Sequence, residues 1–208
     1  MGVIGMNFIN IKPLKIFNKL ISKISIILLI IILITLSITC CQKIINFIFK
    51  EEPITPIPTQ AITLYFSKCG EKQCFLIEEI REVELDKELQ LILMEELIKG
   101  PVSKELSPTL PSSTKVNSMI IEEDLVIVDF SKDIILDHEI PHSSTTEPLA
   151  IFSIVNTLTE IPQVKRVRIL VNGKNEGNIN GMRIEDFWGH VGIYEVFERN
   201  EEIIGPKG

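Results

Sequence analysis

Apolar and polar positions alternate with a period of two through Lys115–Ser131, KVNSMIIEEDLVIVDFS. Val126, Val128 and Phe130 fall on one face of a strand, and Leu125, Ile127 and Asp129 fall on the other. The preceding strand alternates in the same way, with Val116, Ser118 and Ile120 against Asn117, Met119 and Ile121. β-Branched and aromatic residues dominate both, and Glu122-Glu123-Asp124 between them is short enough only for a hairpin. This hairpin is the expected centre of the fold.

The elements on either side read in order. Ala61–Ser67 (AITLYFS) and Phe75–Leu85 (FLIEEIREVEL) are expected strands joined through Cys69–Cys74. Asp86 is placed to cap a helix running to Lys99, with Leu89, Ile92, Leu93 and Leu97 as its apolar stripe and Lys87, Glu95 and Glu96 facing water. Gly100-Pro101 ends that helix, and a Ser/Pro-rich loop runs to Thr114. Ser144-Thr145-Thr146-Glu147 has the spacing of a capping box, which predicts a second helix over Thr146–Glu160 burying Ile151, Ile154, Val155 and Leu158, helped by Phe152. Val164–Val171 is a strand with basic residues on one face, Asn172-Gly173 a turn, and Met182–Phe197 a last strand or loop. The fold class is α+β: one small domain, a mixed or antiparallel sheet with two helices packed on it, in the order β-β-α-β-β-α-β.

The first sixty residues obey another pattern. Ile24–Gln42 carries no charge and is mostly Ile and Leu, long enough to cross a hydrocarbon core of about 30 Å. Lys12, Lys15, Lys19 and Lys23 precede it, and the positive-inside bias keeps them in the cytoplasm and places the chain beyond Gln42 outside. Ile38-Thr39-Cys40-Cys41 is similar to a lipobox, so the anchor is either a diacylated Cys41 or an uncleaved helix. The expected organisation is a basic segment 1–23, a transmembrane or lipoprotein signal segment 24–42, a proline-rich spacer 43–60, a folded domain 61–198 and a tail 199–208.

Charge narrows the function. Six lysines and no acid lie in residues 1–50, so against a whole-chain net charge of −7 the remainder carries −13. So acidic a domain lacks the basic footprint that nucleic acid requires. Cys69 and Cys74 bracket a turn and, outside the cytoplasm, form either a bridge or two reduced thiols. Asp133, Asp137, His138, Glu139 and His142 cluster in sequence, but Pro141 interrupts the helix that would align the two histidines, and two cysteines without a nearby histidine make no zinc set. A Ser131/His138/Asp137 triad lacks a nucleophile turn. No catalytic residue, metal site or cofactor is expected.

Several stretches carry a family resemblance: Ile62-Thr63-Leu64-Tyr65-Phe66, Leu97-Ile98-Lys99-Gly100-Pro101, Leu106-Ser107-Pro108 with Leu110-Pro111, and Val128-Asp129-Phe130-Ser131. Val155-Asn156-Thr157-Leu158-Thr159-Glu160 leading to Val164-Lys165-Arg166-Val167, then Gly189-His190-Val191, complete the series. In this order they resemble the GerMN domain of sporulation and spore germination proteins, over about residues 61–198; the family often has an acid where this chain has Gly192. The resemblance implies a membrane-anchored, extracytoplasmic domain, similar to a ring-building motif, that assembles with itself or with envelope and sporulation proteins rather than catalysing a reaction. It also implies structural roles for Asn156, Thr157 and Asp129. The competing class is binding or hydrolysis of cell-wall glycan or a germinant, with Trp188 and His190 beside Glu185 and Asp186.

Overall fold

A computed structural model of the chain describes residues 12–48 and 57–206, and side chains within the first helix over 23–43. The N-terminal residues 1–11, most of the expected spacer (49–56) and the last two residues of the expected tail lie outside the described residues. The chain divides into two units, Met1–Thr55 and Pro56–Gly208.

The first unit is helix α1, Lys12–Ile48. Its Lys23–Lys43 stretch is long and apolar enough to cross a membrane, and none of it is buried. Thr35, Ser37 and Thr39 return their hydroxyls to carbonyls three or four residues earlier, which leaves no side-chain polar group of theirs unpartnered on an apolar helix. Cys40 and Cys41 are free thiols exposed on this helix.

The second unit begins with β1 (Thr59–Cys69) and β2 (Cys74–Glu84), an antiparallel pair in unbroken register from Thr59↔Glu84 to Cys69↔Cys74. After α2 (Leu89–Lys99) come β3 (Val116–Glu122), β4 (Leu125–Phe130), a short α3 (Asp133–Leu136), α4 (Thr146–Leu158) and β5 (Arg166–Val171). The two-residue pairs β6 (Asn178–Ile179) and β7 (Met182–Arg183), then β8 (Phe197–Glu198), finish the order. β3-β4-β5-β8 form a mixed four-stranded sheet, antiparallel except where β4 and β5 run side by side.

Among the described residues the expected single sheet is therefore three: β1–β2 is a separate two-stranded ribbon, and β6–β7 a minor hairpin. The core explains the division. Ile62, Leu64 and Phe66 of β1 share one hydrophobic cluster with Val126, Val128 and Phe130 of β4, Val167, Ile169 and Val171 of β5, and the buried sides of α2 and α4. α4 touches β1, β2, α2, β5 and β8, and for that reason it is buried on nearly every side. A smaller cluster joins Tyr65, Leu76 and Leu149 to Ile203 and Ile204, so residues read in sequence as a tail pack against the ribbon.

Local signals are realised unevenly. Gly100 takes φ 84° past the end of α2, and Asn172-Gly173 takes φ 50° and 74° in a tight turn closed between Val171 and Lys174. Asp86 does not cap α2: the capping residue is Glu88, with no side-chain bond. The expected box at the start of α4 is also displaced. Ser143 and Thr146 exchange backbone N–H to hydroxyl bonds at 3.1 Å in each direction, and Glu147 points elsewhere. The stretch from Asp133 opens with the short helix α3, whose Ile134 and Ile135 are fully buried in the core.

Candidate functional site

Glu147 sits in the first turn of α4, one turn before Ile151 on the stripe continued by Ile154 and Leu158, and its side chain is wholly buried. Its carboxylate accepts backbone N–H groups from one loop: Gly192 at 2.8 Å and Trp188 at 3.4 Å on Oε1, and His190 at 2.7 Å on Oε2. A carboxylate beside the N-terminal turn of a helix is favourably placed against the helix dipole, and these amides supply the bonds that burial demands. The loop itself is tightly bent. Phe187, Gly189 and Gly192 have φ of 52°, 96° and 79°, and a Cβ on Gly192 would lie 2.6 Å from the carbonyl oxygen of Glu185. A positive φ in a bulky residue such as Phe187 is costly and persists only where its surroundings hold it.

The expected site residues are distributed around this loop. Trp188 is buried: its indole N–H donates to the Ile134 carbonyl at 2.9 Å, its ring stacks on His142 at 4.6 Å, and Phe187 packs at 5.0 Å. Glu185 accepts from its own backbone N–H, from the Gly177 N–H and from Arg183, and these backbone and guanidinium bonds draw its carboxyl down to about 2. Asp186 accepts from the Tyr194 hydroxyl and pairs with Arg183. His190 is exposed, and its backbone rather than its ring is engaged by Glu147.

The residues from 131 to 142 do not assemble into a triad. Ser131 donates to Asp133 and accepts from the Lys115 N–H, while Asp137 accepts from Ser113 and from the Glu139 N–H. His138 is exposed beside His142, with ring centroids 4.4 Å apart. Among the described residues no group of three or more His, Cys, Asp or Glu side chains is arranged to hold a metal ion.

Burial lowers the His142 pKa, and the neighbouring His138 charge adds to that, against opposing influences from the Asp137 carbonyl, Glu147 and the Asp137 carboxylate. A histidine whose folded pKa is depressed stabilises the fold fully above its unfolded value of about 6.5, and the contribution is lost as pH falls through the folded value. Thermal unfolding at pH 7.5 and pH 5.5 should accordingly show a smaller acid-induced drop in midpoint for His142→Phe than for the wild type. An equal drop would mean that His142 does not couple the stack to pH.

A second polar centre ties the chain's end to the ribbon. Tyr65 donates to Glu160 at 2.7 Å, and Arg199 donates to the Tyr65 hydroxyl at 2.7 Å and to Glu160 at 2.8 Å while its guanidinium lies over the Tyr65 ring. Burial and the Glu160 bond push the Tyr65 hydroxyl up to about 12. Burial alone would loosen the proton on Arg199, but the bonds to Glu201 and Tyr65 more than reverse this. Asn156, fully buried, exchanges bonds with the backbone of Asn200 at 2.9 and 3.0 Å, and the Thr157 hydroxyl accepts from the Tyr65 N–H. Asp129 accepts from Gly173 N–H at 2.7 Å and from Asn117.

At the ribbon's tip, Cys69 and Cys74 are register partners with Cα atoms 3.9 Å apart and sulfurs at bonding distance. Behind them opens a groove of about 570 Å³ lined by Phe75, Ile77, Leu106 and Pro206, with Lys68 and Glu105 paired at its rim.

These features define a class first: a small mixed α+β domain in which the polar groups on α4 hold loops and chain ends in place. The sequence matches the family described as "Sporulation and spore germination" (Germane) over residues 63–177, and the chain belongs to that family. Among solved structures, the tandem GerMN domains of the sporulation protein GerM from Bacillus subtilis are similar at a TM-score of 0.55 and 23% identity, covering 74% of this chain and 51% of that one. This chain thus spans about half the length of that protein. A candidate lipoprotein from Clostridium perfringens is similar at a TM-score of 0.46 and 28% identity over 71% of this chain and 92% of that one. The first GerMN domain of the same GerM gives 0.43 and 22%, over 65% and 99%. No curated protein matches the sequence significantly.

Proposed function

We propose that this chain is a membrane-anchored, extracytoplasmic GerMN-domain protein whose role in sporulation or spore germination is assembly with other proteins, not catalysis. The observation that carries this reading is the engagement of Trp188, Glu147 and Glu185 within the domain's own structure. A glycan or germinant site built on Trp188 would need a free indole face, and His142 and Phe187 stack against the ring. Family membership supports the biological setting, and α1 supports the anchor. The envelope proteins outside the cytoplasmic membrane are the partners this arrangement serves, a second copy among them.

Crosslinking of the full chain in sporulating cells tests the reading. Discrete adducts to itself or to envelope proteins are expected, whereas a chain that stays monomeric and unlinked at every surface would contradict it. The anchor is resolved by the intact mass of the membrane-extracted protein: a lipoprotein is cleaved before the diacylated Cys41 and lacks residues 1–40, and a start at Met1 or Met6 leaves α1 as the anchor. In an oxidising compartment the Cys69–Cys74 pair closes the ribbon, and the loop it closes is short. Loop-closure entropy then gives about 2 kcal/mol, so reduction should lower stability by about that amount in a urea titration. Two free thiols at these positions in the unreduced, unfolded protein would exclude the bridge.

A further inference from the structure

The outer edge of β2 already carries one isolated parallel bridge. Leu76 donates to the Ile203 carbonyl and accepts from the Gly205 N–H, both at 2.9 Å, so residues 203–205 lie parallel to β2 and pair with it at Leu76 alone. Because outward-facing backbone groups recur every second residue, the N–H and C=O of Ile80, Glu82 and Glu84 point to the same side as those of Leu76. The register agrees: Ser67, opposite Leu76, also turns its backbone groups outward, to Ser107. β2 has β1 as its one strand neighbour, so among the described residues the ribbon is open on this side from Ile80 to Glu84. The Ile80 side chain is 67% exposed there.

Charge and shape select the occupant. Arg81 engages Glu79 and Glu96, whereas Glu82 and Glu84 are exposed and enter no ion pair among the described residues. The edge is therefore acidic on an acidic domain, which opposes pairing with a second copy of itself and favours a basic strand. The groove between Phe75, Ile77, Leu106 and Pro206 reaches along β2 as far as Glu79, next to Ile80.

We infer that β2 is a strand-addition site: an extended basic segment of a partner protein, alternating basic with apolar residues, pairs with the backbone of Ile80–Glu84, further along the edge that residues 203–205 bridge at Leu76. The inference rests on the interaction reading above and names the surface and the chemistry of the partner. Main-chain bonds along the edge supply affinity, and Glu82 and Glu84 supply the preference for basic residues.

The test uses the full chain in a non-ionic detergent and two fluorescein-labelled octapeptides, one alternating Lys with Val and one alternating Glu with Val. Binding is read by anisotropy and by deuterium uptake over residues 78–84. The basic peptide should bind and slow uptake in that segment, and the acidic one should not bind. Ile80→Pro removes an outward N–H that makes no bond to β1, and should weaken the basic peptide at least tenfold. Glu82→Lys with Glu84→Lys, at exposed positions, should invert the preference. The proposal is overturned if the basic peptide fails to bind, if both peptides bind alike, if either variant behaves as the wild type, or if uptake over 78–84 is unchanged. It is equally overturned if the chain, without peptide, protects this segment by pairing with itself. Should crosslinking in cells meanwhile find a partner at another surface, the assembly reading stands and the edge assignment alone falls.

Discussion

Glu147→Ala should destabilise the Pro56–Gly208 unit by about 3–5 kcal/mol, among the largest effects of any polar substitution in the domain. The variant leaves the N–H groups of Gly192 and His190 without their short bonds and that of Trp188 without its longer one, inside a core that admits no replacement of equal geometry. It also frees the strained turn at Phe187, whose positive φ only the surrounding contacts maintain. The chain has a single tryptophan, Trp188, so intrinsic fluorescence reports on this loop directly. A red-shifted emission in the absence of denaturant, with a lowered midpoint in urea, is the expected outcome. Unchanged stability with native emission would mean that the loop is held by Trp188 packing and needs no carboxylate.

Phe130→Ala should cost a similar amount, about 3–5 kcal/mol, for a different reason. Phe130 ends β4, is fully buried, and lies between Val116 of β3 and Val171 of β5 in the register. Truncation removes the transfer free energy of the ring and leaves a cavity where the only parallel pair among the described strands meets β3. Because β1 of the separate ribbon contributes to the same core, the loss should appear as a single cooperative transition in urea. Two resolved transitions would show that the ribbon and the four-stranded sheet are independent units.

Periodicity made most of this fold legible. Val126, Val128 and Phe130, the stripes of α2 and α4, and the Asn172-Gly173 turn are where a period of two, a period near 3.6 and a pair of left-handed residues placed them. What could not be read was long-range partnership. Nothing in the strand pattern of Ala61–Leu85 distinguishes a ribbon packed through its own face from two strands of a larger sheet. The displacement of the helix start by Ser143 and Thr146 turned on hydroxyl geometry rather than on residue type.

Glu147 was the principal residue missed. An acid at that spacing is normally a capping residue, but it also falls on the stripe of Ile151, Ile154 and Leu158, and an acid on a buried stripe signals a group that must be satisfied internally. Trp188 and Glu185, read in sequence as part of a competing glycan or germinant site, are engaged by the Ile134 carbonyl and the Gly177 N–H. The involvement of residues 199–206 was hidden for a related reason: Arg199, Asn200 and Ile204 meet partners in β1, β2 and α4 more than forty positions earlier.

The reading of the domain as a scaffold is tested most directly by removing the exposed titratable groups around the loop while keeping the fold. A His138→Ala/His190→Ala/Asp186→Asn variant, introduced in place of the native chain, should retain native Trp188 emission and support wild-type spore yield and germination. A variant that folds in this way yet fails as completely as a deletion would contradict the account, because it would place a chemical role on the very side chains taken to be dispensable.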